Sequence, residues 1–131
     1  MRFDDTDDIR RDIMDWSEPV ASDRIAEAYD ACFGGRADFC KPLSRQHTRL
    51  WRLIIVGDKR RAADARRDLL RLARACHLGP EAIDSIDRLV LDELVDVIAN
   101  RFQGSPASTR LYGRMLIEAS ATLTETRLAA A

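Results

Sequence analysis

Residues 78–106 read LGPEAIDSIDRLVLDELVDVIANRFQGSP. Gly79-Pro80 is a helix stop followed at once by a proline that suits the first position of the next helix. Gly104-Ser105-Pro106 repeats that grammar at the other end. Between the two stops, Ile83, Ile86, Leu89, Val90, Leu94, Val97 and Ile98 recur at helical spacing, which predicts a helix from Pro80 to Phe102. Its apolar positions cover more than one narrow stripe, so the helix is expected to be covered on several sides.

The same punctuation divides the rest of the chain. Thr6 or Asp5 caps a predicted helix Asp7 to Trp16, with Ile9, Ile13 and Trp16 on one stripe. Pro19 is expected to break it. Ser22 starts the next helix, with Ile25, Ala28, Tyr29 and Cys32 in phase, and Gly34-Gly35 stops it. Pro42 suits the first turn of a helix running to about Val56, with Leu43, His47, Leu50, Trp51 and Ile54 on one face. The β-branched run Leu53 to Val56 continues that period and is kept helical. Asp58 caps a helix through about Leu78, whose apolar face is Ala62, Ala65, Leu69, Leu72, Ala73 and Cys76. A last helix runs from Pro106 toward Leu128, with Leu111, Tyr112, Met115, Leu116, Ala119 and Leu123. The expectation is a single all-α domain of six main helices.

The 131 residues suffice for one hydrophobic core. A net charge of −1 offers no electrostatic case for nucleic acid. No apolar run approaches the roughly 20 residues needed to cross a bilayer, and acidic Met1 to Asp8 lacks a signal-peptide core. Cys32, Cys40 and Cys76 are odd in number and widely spaced, which predicts free thiols in a reducing cytoplasm. No glycine-rich phosphate loop, Cys-x-x-Cys or His-Glu-x-x-His spacing occurs. The adjacent acids Asp7-Asp8 and Asp92-Glu93 point apart on a helix and read as surface charge. A cysteine enzyme using Cys40 or Cys76 near His77 has little support, because Cys76 lies on an apolar face.

Two histidines remain. His47 falls among Leu43, Leu50 and Trp51, as a buried imidazole with a hydrogen-bond partner would. His77 closes a helix just before Gly79. There it serves either as a cation against unpaired carbonyls or, facing an apolar slot, as an axial ligand to haem iron.

The order of elements resembles the globin-coupled sensor and protoglobin family. The segments that carry the likeness are Ile25 to Tyr29, Arg45 to Gly57, the arginine-rich helix, His77 to Glu81 and the long helix Leu89 to Phe102. The resemblance implies a globin-like helical bundle with an extra N-terminal helix, here Asp7 to Trp16. It implies haem, with His77 as the metal ligand and His47 or Trp51 at the opposite pocket wall. It also implies oxygen sensing, a signalling output protein as partner, and a homodimer through the last two helices. The surplus apolar residues of those helices, Leu89, Val90, Leu91, Leu94, Val95, Val97 and Ile98 in one and Leu111, Met115, Leu116 and Leu123 in the other, predict the same dimer, since one core can use only part of each helix. The family's usual ligand position falls on Ala75, and Ala82-Ile83 replace the common Trp-Tyr pair. The alternative implied reading is therefore a haem-free, globin-like dimerisation or protein-interaction domain.

Overall fold

The computed structural model describes residues 6–34 and 37–130, and side chains over 11–34 and 38–128. They form five α-helices: α1 (Thr6–Phe33), α2 (Ala37–Val56), α3 (Lys59–Ala75), α4 (Pro80–Arg101) and α5 (Pro106–Ala130). The chain is all-α, as expected, with one helix fewer than the spacing of breakers suggests.

The difference lies at Pro19, which sits inside α1 and does not end it. Ile13, Ser17, Ala21, Ile25 and Tyr29 step by four along one buried face that runs straight past the proline. Pro19 is on the exposed side. A helix-interior proline loses one backbone hydrogen bond, and continuous burial of the opposite face outweighs that loss. Ser22 is thus a mid-helix residue, and Asp7 to Trp16 is the first part of α1, not a separate N-terminal helix. The side chain of Ile9, and Gly35, lie outside the described residues.

Pro42 behaves similarly. α2 starts at Ala37, and exposed Pro42 is carried inside it. Phe39 in the added turn packs on Phe33 of α1, with ring centroids 5.5 Å apart. The stretch Leu53 to Val56 is helical, as the period predicts.

Asp58 caps α3 as expected, accepting from the Arg61 N–H at 3.1 Å. The helix ends at Ala75, short of Leu78. The Leu78 N–H donates to Ala73 O at 2.8 Å and the His77 N–H to Arg74 O at 3.0 Å. These are the paired bonds of a Schellman cap, which places the residue after the cap in the left-handed region. That residue is His77, at φ 63°.

Every helix feeds one core. α1 packs on α2 and α4, α2 on α3, and α3 on α5, with α4 and α5 joined as a hairpin. Tyr29, Leu43, Leu50, Trp51, Ile54, Leu69, Ile83, Val90 and Leu94 are all buried at its centre. Phe102 stacks on Tyr112 at 4.3 Å and closes the α4–α5 turn. Among the described residues, no helix is long and apolar enough to cross a membrane.

Candidate functional site: a buried polar cluster and an apolar groove

α2 and α4 each carry a polar residue inside an apolar stripe. His47 lies between Leu43 and Leu50, and Asp87 lies between Ile83 and Val90; neither is exposed. Burying such groups is costly unless they are bonded to each other. They are. His47 Nε2 is 2.6 Å from Asp87 Oδ1. Trp51 Nε1–H donates to the same oxygen at 2.9 Å. Arg66, 2 % exposed on α3, donates to Asp87 Oδ2 at 2.9 Å and to Asp84 Oδ1 at 2.5 Å. On the other ring nitrogen, the Tyr29 hydroxyl lies 2.7 Å from His47 Nδ1. Arg127 of α5 approaches from the rim: its Nε is 3.2 Å from Asp84 Oδ1, an ion-pair distance without hydrogen-bond alignment. All five helices therefore contribute to one polar chain.

The tautomer follows from the partners. A carboxylate only accepts, so His47 Nε2 carries the proton toward Asp87. With the ring neutral, Nδ1 accepts from the Tyr29 hydroxyl. Burial pushes the Asp87 carboxyl up, but the hydrogen bond from His47, joined by the Arg66 guanidinium, outweighs it and holds the group below the usual carboxylate range. Burial, followed by the Asp87 charge, pushes the Tyr29 phenol well above its ordinary value, which keeps it a donor.

A tyrosine, a histidine and a carboxylate in series have the connectivity of a proton relay. Here each member is sealed in the core, so no reacting atom reaches it. The cluster's chemistry is positional: it ties α1, α2 and α3 to α4.

Haem, implied by the resemblance, does not fit these residues. Both His47 nitrogens are engaged, and Trp51 is bonded to Asp87. The cavity beside Trp51 holds about 10 Å³, a single water's worth of space. His77 is exposed at the end of α3, its backbone committed to the cap, and it lines none of the described cavities. His47 and Trp51 thus stand together, and His77 stands apart from them. Among the described residues, no cluster of His, Cys, Asp or Glu has the makings of a metal site.

Sequence reasoning singled out His47 and Trp51 and passed over Asp87, Arg66 and Tyr29. The signal for two of these was present. Asp87 is four after Ile83 and three before Val90, and Arg66 is four after Ala62 and three before Leu69. A charge in phase with an apolar stripe calls for a buried partner of opposite sign.

The second feature is a groove of about 350 Å³ on the outer side of the α4–α5 hairpin. Leu91, Val95 and Ile98 form one wall, and Gly113, Leu116 and Ile117 the other. Val95 is 49 % exposed and Ile117 71 %. Of the surplus apolar residues expected on these helices, Val90, Leu94, Met115 and Leu123 are used by the chain's own core. Leu91, Val95 and Ile117 line the groove, and Leu89 is exposed on α4 without lining it. Asp92 and Asp96 are exposed on α4, and Arg110 and Arg114 on α5. Comparisons with protein-family models, with curated proteins and with solved structures give no match for this chain.

Proposed function

We propose that this chain is a haem-free regulatory domain of the globin-like sensor type, which homodimerises through α4 and α5 and relays a signal to an output protein. The observation that carries the reading is the apolar groove on the α4–α5 hairpin with its two oppositely charged rims. Apolar side chains as exposed as Val95 and Ile117, side by side over a groove, mark an interaction surface.

The charges favour a second copy as the occupant. α4 and α5 run antiparallel about the turn at 102–105, so Asp92 stands level with Arg114 and Asp96 with Arg110. A two-fold axis parallel to the helices lays α4 of one copy over α5 of the other at unchanged height. Acid then faces base on both sides, and the two apolar grooves face each other between them. Such a self-complementary patch is what an isologous dimer needs, and the product is a four-helix bundle. The polar cluster supplies the coupling: Asp84 and Asp87 of the same α4 are held by Arg66 and His47. A shift of α4 at the dimer surface is therefore felt in α2 and α3.

Sedimentation of the wild type and of Ile117→Asp tests the reading. The wild type is expected to sediment as a dimer at tens of micromolar, and Ile117→Asp as a monomer with unchanged helical circular dichroism. A wild-type monomer removes the proposal. Hemin added to the wild type is expected to produce no axially ligated Soret spectrum; a spectrum lost in His77→Ala restores the haem-sensing alternative.

A further inference from the structure

α1 and α2 enclose a second groove, of about 340 Å³, on a different face of the molecule. Its α2 wall carries two adjacent columns. Ser44 and Thr48 are spaced i, i+4, and Arg45, Arg49 and Arg52 follow at i, i+4 and i+7. From α1 come Ser22 and Glu18. Glu18 is engaged by Arg52, an ion pair within the groove's lining. Three arginines against one glutamate leave the lining with a charge of +2. Arg45 and Arg49 are exposed and make no ion pair with any described residue.

The hydroxyls are the second observation. In this protein, Thr109, Thr122 and Thr124 each bond back to the carbonyl four residues earlier. Ser22, Ser44 and Thr48 also lie within helices, yet their hydroxyls have no hydrogen-bond partner among the described residues. Behind the groove, Ser17 is wholly buried and its hydroxyl also lacks a partner. Ser17 lines a small cavity whose wall shares Glu18, Thr48 and Arg52 with the groove. A buried hydroxyl without an acceptor is unfavourable, and the small space beside it is separated from the groove only by side chains that the two share.

We propose that the α1/α2 groove is a binding site for a phosphate-class oxyanion carried by a small phosphomonoester. Guanidinium groups match the planar, bidentate geometry of phosphate oxygens, and hydroxyls supply neutral donors to the remaining ones. Arg45 and Arg49 take the charge, while Ser22, Ser44 and Thr48 fix the orientation. The groove's volume falls within the ordinary range for small-ligand sites. The proposal does not rest on dimerisation, since α4 and α5 contribute nothing to this groove.

The test is calorimetric titration of the full chain with inorganic phosphate, glycerol phosphate and sulfate at constant ionic strength, with amide chemical shifts recorded in parallel. Saturable binding of phosphate and tighter binding of glycerol phosphate are expected, with shifts centred on Ser22, Ser44 and Thr48. Arg45→Gln/Arg49→Gln should weaken binding about tenfold or more, the effect of losing charge-assisted hydrogen bonds. Arg60→Gln/Arg74→Gln, at exposed sites on α3, should leave it unchanged. Ser44→Ala/Thr48→Val retains the arginines and should lower the preference for glycerol phosphate and phosphate over sulfate. An equal, weak response to all three anions means an adventitious ion only and overturns the proposal. So does wild-type affinity in the Arg45/Arg49 variant. Oligomeric state, measured on the same samples, reports separately on the α4–α5 surface.

Discussion

His47 and Asp87 meet across 2.6 Å with neither side chain exposed, although forty residues separate them in the chain. The pair is completed on one side by Tyr29 and on the other by Trp51 and Arg66, so each buried polar atom of the ring and the carboxylate has a partner. Removing one member strands the rest.

Asp87→Asn removes the one fully buried carboxylate and leaves Arg66 with half-exposed Asp84 as its counter-ion, and it should cost about 3–5 kcal/mol, the range for breaking a buried ion pair from one side. Because the folded Asp87 pKa lies below its unfolded value, the carboxylate's contribution is full above the ordinary carboxylate range. It is lost as pH falls through the lowered folded value. Urea melts at neutral pH and in acid should show a large wild-type-to-variant gap that narrows on acidification. A gap independent of pH would mean that the charge is not what the cluster uses.

Trp51 contributes both bulk and an N–H. Trp51→Ala should cost roughly 3–5 kcal/mol, as for other large buried aromatics. Trp51→Phe keeps most of the bulk and loses the bond to Asp87, so the penalty should fall to about 1–3 kcal/mol. Equal penalties for the two variants in chemical denaturation would show that packing alone holds Trp51.

His77 occupies a left-handed backbone position that glycine takes without steric cost. His77→Gly should stabilise the protein by about 0.5–1 kcal/mol, and no loss is expected from the exposed ring. A lowered melting temperature would show that the imidazole has a structural partner.

Pro19→Ala restores a backbone donor in the interior of α1. It should stabilise by up to about 3 kcal/mol and raise the helical circular dichroism slightly. No gain would indicate that α1 is interrupted there in solution.

Both tyrosines should resist alkali. Burial, the hydrogen bond it donates to Asp12 and the Asp12 charge push the Tyr112 phenol to about 12, against a smaller opposing effect of Arg101. A raised folded pKa means that Tyr112 contributes fully below its unfolded pKa of about 10, and that this contribution is lost as pH rises toward the folded value. Absorbance titration should show little phenolate near pH 10, a component near 12 that Tyr112→Phe removes, and Tyr29 ionising later still. A phenolate step at the ordinary value would refute the Asp12 contact.

The helices were legible wherever a stop signal coincided with a break in the apolar period. Gly57-Asp58, Gly79-Pro80 and Gly104-Ser105-Pro106 each separate two helices, because glycine, capping aspartate and N-terminal proline act through local backbone geometry. Trp51 and His47 were placed in the core by phase alone, since a residue's helical face depends on its spacing and not on its partners. The prolines were different. Pro19 and Pro42 weaken a helix locally, and whether they end it depends on burial gained across the neighbouring helices, which no local window contains. The polar cluster lies further still beyond local rules: Tyr29, His47, Arg66 and Asp87 belong to four helices, and only packing brings them within hydrogen-bonding distance. Likewise, spacing placed surplus apolar residues on the last two helices, but the bundle decided which of them face outward, because Val90 and Leu94 found partners inside and Val95 and Ile117 did not.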